Sequence, residues 1–287
     1  MRYKFIRDQQ KLMSVKHMCT VLQVSRSAYY SWQQATISTR ETQNQELVKR
    51  IAEIHQHSHR TYGSPRIWHA LRQQGIQCSR KRIARLMHIH GIQAKMVRRF
   101  KITTHSRSTQ IMAQDLVQRR FIVHQPNRVW TSDITYIWTR EGWAYLAVVL
   151  DLCSRMIVGW EVSSRLTASV VTTAVKRALY WRQPSEDLIL HSDQGSQYAS
   201  TELRSLAKEQ MIHLSMGRTG SCYDNAVTES FFHTLKTEHI YFHQYDTRQD
   251  ARTSIFEYIE TFYNQQRLHS TLGNRSPMQF ELQLTLT

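Results

Sequence analysis

Three acidic residues stand where carboxylates are costly. Asp133 interrupts the β-branched and aromatic run Trp130-Thr131-Ser132-Asp133-Ile134-Thr135-Tyr136, which otherwise reads as the interior of a strand. Asp193 follows a short apolar run in His191-Ser192-Asp193-Gln194-Gly195, and Glu229 falls in a helical pattern that begins near Asp224. A carboxylate inside a strand loses hydration that a divalent cation restores. A single such Asp would also suit a structural role. Three acids on converging elements point instead to two Mg²⁺ (or Mn²⁺) ions held by Asp133, Asp193 and Glu229, because these hard oxygen donors match those ions. The chemistry implied acts on a phosphodiester: one ion lowers the pKa of water or of a 3′-hydroxyl nucleophile, and the other stabilises the leaving oxygen. His233 and Lys236 follow Glu229 at i+4 and i+7, so they share its helix face. Lys236 is expected to reach a phosphate or base near the scissile position. His233 would contact a phosphate or order the attacking water, or else be a packed helix histidine. Phe231, Phe232 and Leu235 would turn to the core.

The convergence depends on the elements that carry these acids. Residues 130–138, 143–150 and 156–162 read as three strands joined by short turns, an antiparallel meander. A helix over 167–181 follows, then a short strand at 188–191, a helix over 200–210, a strand at 212–214, and helices over 224–239 and 248–264. The stretch 215–223 reads as a mobile loop. This order is that of a ribonuclease-H-like α/β domain with a mixed five-stranded sheet. In that fold the first and fourth strands are neighbours, and the helix bearing Glu229 crosses over them.

The front of the chain has a different character. Residues 1–129 hold 24 Lys or Arg against 5 Asp or Glu, a balance of +19, whereas 130–287 hold 14 against 17. Against a formal total of +16, this distribution reads as a polyanion-binding half joined to a cation-holding half. Val15, Met18, Cys19 and Leu22, then Ala28, Tyr29 and Trp32, fit two helices of a helix–turn–helix, although small trihelical cores show the same pattern. Arg26 lies at the start of the second helix. Residues 33–44, rich in Gln, Thr and Ser, read as a linker. A second helical unit carries Leu47, Ile51 and Ile54, the turn Tyr62-Gly63-Ser64-Pro65-Arg66-Ile67, and a basic helix with Arg80, Lys81, Arg82 and Arg85. Those four, with Arg66 and Arg26, are the expected DNA contacts, the alternative for the basic helix being a solvated face. The division expected is 1–44 (helix–turn–helix and linker), 45–98 (second helical DNA-binding domain), 99–129 (basic connector) and 130–287 (catalytic domain).

Cys19, Cys78, Cys153 and Cys222 are too far apart for a zinc set or a disulfide framework. His55, His57 and His59 alternate over too short a span to form a site and read as solvated. No signal peptide or membrane-length apolar run is visible, so a cytoplasmic, nucleoid-associated bacterial location is expected.

The motifs resemble those of one family. Trp130-Thr-Ser-Asp133-Ile-Thr-Tyr136, His191-Ser-Asp193-Gln-Gly195-Ser-Gln-Tyr198 and Asp224-Asn225-Ala-Val-Thr-Glu229, with 35 residues between Asp193 and Glu229 and Lys236 seven beyond, are similar to the second-frame product of bacterial insertion-sequence transposases made from two overlapping frames. Tyr263-Asn264-Gln-Gln-Arg267-Leu-His269 with Ser276-Pro277, and upstream Val24-Ser25-Arg26-Ser27-Ala28-Tyr29-Tyr30 and Tyr62-Gly63-Ser64-Pro65-Arg66-Ile67, extend the resemblance over nearly the whole chain. More distantly, the chain resembles the retroviral integrase core, without the zinc module at the front. The resemblance implies a DDE polynucleotidyl transferase performing 3′-end cleavage and strand transfer. Its partners would be double-stranded DNA (terminal inverted repeats and target), further copies of itself on DNA, and the product of the upstream frame. Two rivals remain at this stage. A non-catalytic DNA-binding regulatory protein would not need the three acids together, and a nuclease of RNA–DNA hybrids would not need the basic helical front.

Overall fold

The computed structural model describes residues 1–34, 38–95, 113–117, 123–184, 187–217 and 226–286. Most of the basic connector, with Arg98, Arg99, Lys101, Arg107, Arg119 and Arg120, lies outside these residues, as do Cys222, Asp224 and Asn225.

Three short helices, α1 (Arg2–Gln9), α2 (Val15–Val21) and α3 (Arg26–Gln34), bury Ile6, Met18, Cys19 and Tyr29 against one another. α2 starts at Ser14, whose side chain accepts from the His17 N–H and satisfies one of the helix's open donors. The sequence reading covered α2 and α3 but not α1, whose amphipathic pattern rests on Ile6 alone. Trp32 stays 37% exposed, packed beside the Tyr3 and Tyr29 rings with Arg7 over it, rather than forming an inner face.

The linker expected over 33–44 is mostly helical. α3 runs to Gln34, and α4 (Thr39–His57) begins directly after Ser38, whose hydroxyl accepts from the Glu41 N–H. Gln and Thr carry only weak preferences, and an N-cap with a downstream apolar stripe overrides them. α5 (Ser64–Gln73) and α6 (Arg80–Ile89) close the unit around Leu47, Ile51, Ile67, Leu71, Ile83 and Leu86.

Beyond the connector, β1 (Val129–Thr139) and β2 (Gly142–Asp151) form a tight hairpin, Gly142 taking a φ of 103° that a residue with a Cβ rarely adopts. β3 (Ile157–Ser163), α7 (Ala168–Arg182), β4 (Ile189–Ser192), α8 (Thr201–Glu209), β5 (His213–Met216), α9 (Ala226–Glu238) and α10 (Arg248–Phe256) follow. α10 runs on as a π-helical stretch, Glu257–Tyr263, and α11 (Pro277–Thr285) ends the fold. The five strands are ordered β3-β2-β1-β4-β5, with β1, β2 and β3 antiparallel and β1, β4 and β5 parallel. The expected ribonuclease-H-like sheet is thus present.

Alternation along the strands sorts the core into two layers. Trp130, Ala147, Val149 and Leu190 meet α7 and α8; Ile137, Leu146, Val148 and Leu150 lie in the layer of α9 and α10. Gly159 lets α7 approach β3 closely, since a Cβ there would collide with the Ala174 carbonyl. The apolar residues of α4–α6 are continuous with the α9–α10 layer. Polar contacts reinforce that junction: the Tyr62 hydroxyl accepts from the Leu268 N–H at 2.7 Å and donates to the Gln266 carbonyl at 3.1 Å. Of the histidines expected to be solvated, His57 and His59 are exposed and His55 is half-buried. His55 bonds the Gln93 carbonyl at 3.0 Å and His59 sits edge-on to Phe262 at 4.7 Å, and burial lowers the pKa of both.

Candidate active site

Pairing register brings the first two acids together. Ser132 of β1 lies opposite Ser192 of β4 in a parallel pair, so Asp133 and Asp193 follow side by side, Asp193 just past the end of β4. Each is held by its own local device. Asp133 accepts the Ile134 N–H at 2.7 Å, and Asp193 accepts the Gly195 N–H at 3.0 Å. A Cβ on Gly195 would come within 3.0 Å of that carboxylate, which is the reason for glycine in this turn. Ser132 donates to the Val148 carbonyl at 2.8 Å and meets the buried Tyr198 hydroxyl at 3.0 Å, fixing the turn after Asp193 against β1.

A hydroxyl pair seats α9 on the sheet. Thr228 donates to Thr131 at 2.7 Å, and both side chains are fully buried. Thr131 is two residues before Asp133, on the same side of the strand, and Thr228 directly precedes Glu229. The same face of α9 as Thr228 buries Phe231, Phe232 and Leu235, which turn to the core as the helical spacing predicted.

Electrostatics show the outcome. Burial, then the charge of Asp193, push the Asp133 carboxyl up to about 8; Glu229 adds to the rise, and the Ile134 N–H and Lys236 oppose it. Partial burial and Asp193 raise Glu229. Asp193 stands at the solvent-exposed rim, yet the protein around its carboxyl raises it against the pull of the Gly195 N–H. Burial lowers the Lys236 ammonium while Asp133 supports it. Asp133, Asp193, Glu229 and Lys236 therefore sense one another across a single site. Carboxylates crowded in this way cannot all ionise cheaply without a cation, and the all-oxygen donor set fits a hard divalent ion. Among the described residues, no group of three His, Cys, Asp or Glu side chains is close enough to hold one.

An ion held by Asp133 would have to displace its proton, so the affinity for Mn²⁺ should rise about tenfold per pH unit below about pH 8 and level off above it. Calorimetric titration of Mn²⁺ at several pH values checks this, and a pH-independent affinity would contradict it.

The expected DNA contacts divide. His233 is exposed on the Glu229 face of α9; Arg80, Lys81 and Arg85 are exposed on α6, and Arg26 on α3. Arg82 and Arg66 are engaged inside the protein. Arg82 donates twice to the buried Asn44 Oδ1, at 3.0 and 2.7 Å. Arg66 pairs with Glu238 at 3.1 Å, and the same carboxylate receives two bonds of 2.7 Å from the buried Arg267. Nothing in residue type marked Thr131, Thr228, Tyr198 or Glu238 as positioning groups. Their neighbours in the motifs were the only signal.

Two family models described as integrase core domains match residues 123–222 and 210–277, and one described as an HTH-like domain matches 42–100. The transposase InsF for insertion sequence IS3A of Escherichia coli (strain K12) is 40% identical over 283 residues, 98% of this chain and 98% of that one. This chain belongs to the IS3-family transposases. A 31 kDa protein of insertion element IS600 from Shigella sonnei is likewise 40% identical, over 92% of this chain and 97% of its own. A chain in the simian T-cell lymphotropic virus intasome, solved by cryo-EM, superposes with a TM-score of 0.48 at 16% identity over 80% of this chain and 73% of that chain. By its relatives and its integrase core domains, this IS3-family transposase is a DDE-type transposase/integrase by class. No helix among its described residues is long and apolar enough to cross a membrane.

Proposed function

We propose that this transposase cleaves DNA at the 3′ ends of an insertion element and joins the freed 3′-hydroxyl to a target strand, with Asp133, Asp193 and Glu229 as its catalytic carboxylates. The observation that carries the reading is the parallel register of β1 and β4, which sets Asp133 beside Asp193, with Glu229 of α9 near enough to add, after burial and Asp193, to the rise of the Asp133 carboxyl. The three carboxylates would hold two Mg²⁺ ions, which when bound supply nucleophile activation and leaving-group stabilisation. The chain's own work is placement. The Thr131–Thr228 bond sets Glu229 over β1, and the Ser132–Tyr198 contact holds the Asp193 turn. Lys236, already drawn to Asp133, reaches a phosphate or base beside the cut, and His233 on the same face meets a phosphate or orders water.

The basic front half supplies affinity for duplex DNA, through Arg80, Lys81 and Arg85 of α6 and Arg26 of α3, within the division 1–44, 45–98, 99–129 and 130–287 anticipated above. Element ends and target are the DNA partners. Further copies of the chain, and the product of an upstream frame, complete the assembly in a bacterial cytoplasm on the nucleoid.

The test is cleavage and joining of a duplex carrying the inverted repeats that flank the gene, by the full chain with Mg²⁺ or Mn²⁺. Nicked and joined products that vanish with chelator are expected, and Lys236→Ala should slow joining about 10- to 100-fold with little change in Tm. DNA binding with no cleavage in any divalent ion would return the protein to the regulatory reading.

A further inference from the structure

Three of the motif segments singled out in the sequence meet away from the acids. A cavity of about 290 Å³ is lined by Arg66, by Arg155 from the β2–β3 turn, by Arg267, and by the hydroxyls of Ser230 and Thr234, with Thr271 at its exposed edge. Arg66 comes from Tyr62-Gly63-Ser64-Pro65-Arg66-Ile67, Arg267 from the late Tyr263–His269 signature, and Ser230 and Thr234 from the helix of Glu229. Among the described residues, no Asp or Glu lines the cavity. Glu238 satisfies Arg66 and Arg267 from behind but is one charge against two, and Arg155 adds a third guanidinium. Ala226 and Val227 of α9 also border the space. His269, in the same wall, reports the field: burial, then Arg267, Arg66 and Arg155, push its pKa down to about 2, so it stays neutral.

We propose that this cavity binds a phosphodiester of the DNA strand next to the one being cut. Guanidiniums and hydroxyl donors are groups that recognise tetrahedral oxyanions. Ser230 and Thr234 each follow a residue of the Glu229–His233 face by one position, which turns them about 100° around α9. A backbone passing the acids therefore has its neighbouring phosphate beside the cavity. Arg66, drawn inward by Glu238, contacts DNA here rather than on an open surface. The proposal rests on the reading of the chain as acting on DNA.

Arg155→Gln is the direct variant, but it alters a half-buried guanidinium. Thr271 is exposed at the cavity wall, so Thr271→Glu adds a repelling charge and Thr271→Gln the same bulk without it. Binding of the full chain to a 3′-labelled duplex would be measured across a salt series. Thr271→Glu should bind about tenfold more weakly at low salt and show a log–log salt slope shallower by about 0.9, one phosphate's share, while Thr271→Gln stays within about twofold of the parent. Orthophosphate, at ionic strength matched with chloride, should raise the Tm of the parent and not that of Thr271→Glu. Equal slopes for all three proteins, or equal losses for Glu and Gln, overturn the site. Protection by orthophosphate with an unchanged DNA slope would make it a small-anion site and also overturn the proposal. A parent chain that binds no duplex at any salt would instead overturn the functional reading beneath it.

Discussion

Asp133→Asn should abolish cleavage and joining, by at least about 1000-fold or roughly 4 kcal/mol of transition-state stabilisation, while making the metal-free protein more stable. Asn keeps the shape of the side chain and cannot carry the charge that would hold an ion. The stability change follows from the raised carboxyl. In the folded metal-free state Asp133 holds its proton up to about pH 8, whereas in the unfolded chain it releases it near 3.8. Between those values the unfolded state is favoured by deprotonation, so the wild type loses stability as pH rises from about 4 to about 8. Asn removes that dependence. At pH 7.5 without divalent ions the variant should melt several degrees above the parent; Mg²⁺ should raise the Tm of the parent and leave the variant unmoved. Retained strand transfer, or equal Mg²⁺ protection of both proteins, would remove Asp133 from the catalytic centre.

Glu238→Gln should be strongly destabilising. Its carboxylate accepts two bonds of 2.7 Å from Arg267 and one of 3.1 Å from Arg66, with the Tyr258 hydroxyl at 3.4 Å. Burial alone would raise this carboxyl, but the Arg267 guanidinium and then Arg66 hold it below the ordinary range. Gln leaves a buried guanidinium uncompensated, at a cost of about 3–5 kcal/mol, or a Tm lower by about 10 °C. Because the folded pKa is depressed, the stabilisation is complete above the ordinary value of 4.5 and is lost as pH falls through the folded value. The parent should therefore lose Tm more steeply than the variant on acidification below about pH 4.5. Calorimetry over that range decides it, and a Tm within about 2 °C of the parent at pH 7 would show the ion triad to be unimportant.

Strand and helix positions were legible because they are local. The period-two run containing Asp133, the apolar stretch before Asp193 and the 3.6-residue pattern of Phe231, Phe232 and Leu235 each announce an element within a few residues. α1, with one buried apolar residue, had no such pattern to read. The start of α4 was hidden in a polar stretch whose only sign was Ser38, and Asn44 within that stretch is buried against Arg82.

Residue types and spacing by themselves determined the ribonuclease-H-like order of elements, the three acids, the shared face of Glu229, His233 and Lys236, and the segregation of positive charge into the front half. Only the tertiary structure decided which polar residues serve those acids. The Thr228–Thr131 bond spans 97 positions, and the Arg66–Glu238 pair spans 172. Threonine, arginine and glutamate carry no periodic signal that announces such partners. A side chain's pattern is set by its neighbours within a turn or a strand, whereas its partner is set by how whole layers pack. The same basic sequence features therefore resolve into exposed arginines on α6 and inward-turned ones at Glu238 only once α4–α6 have docked on the α9–α10 layer.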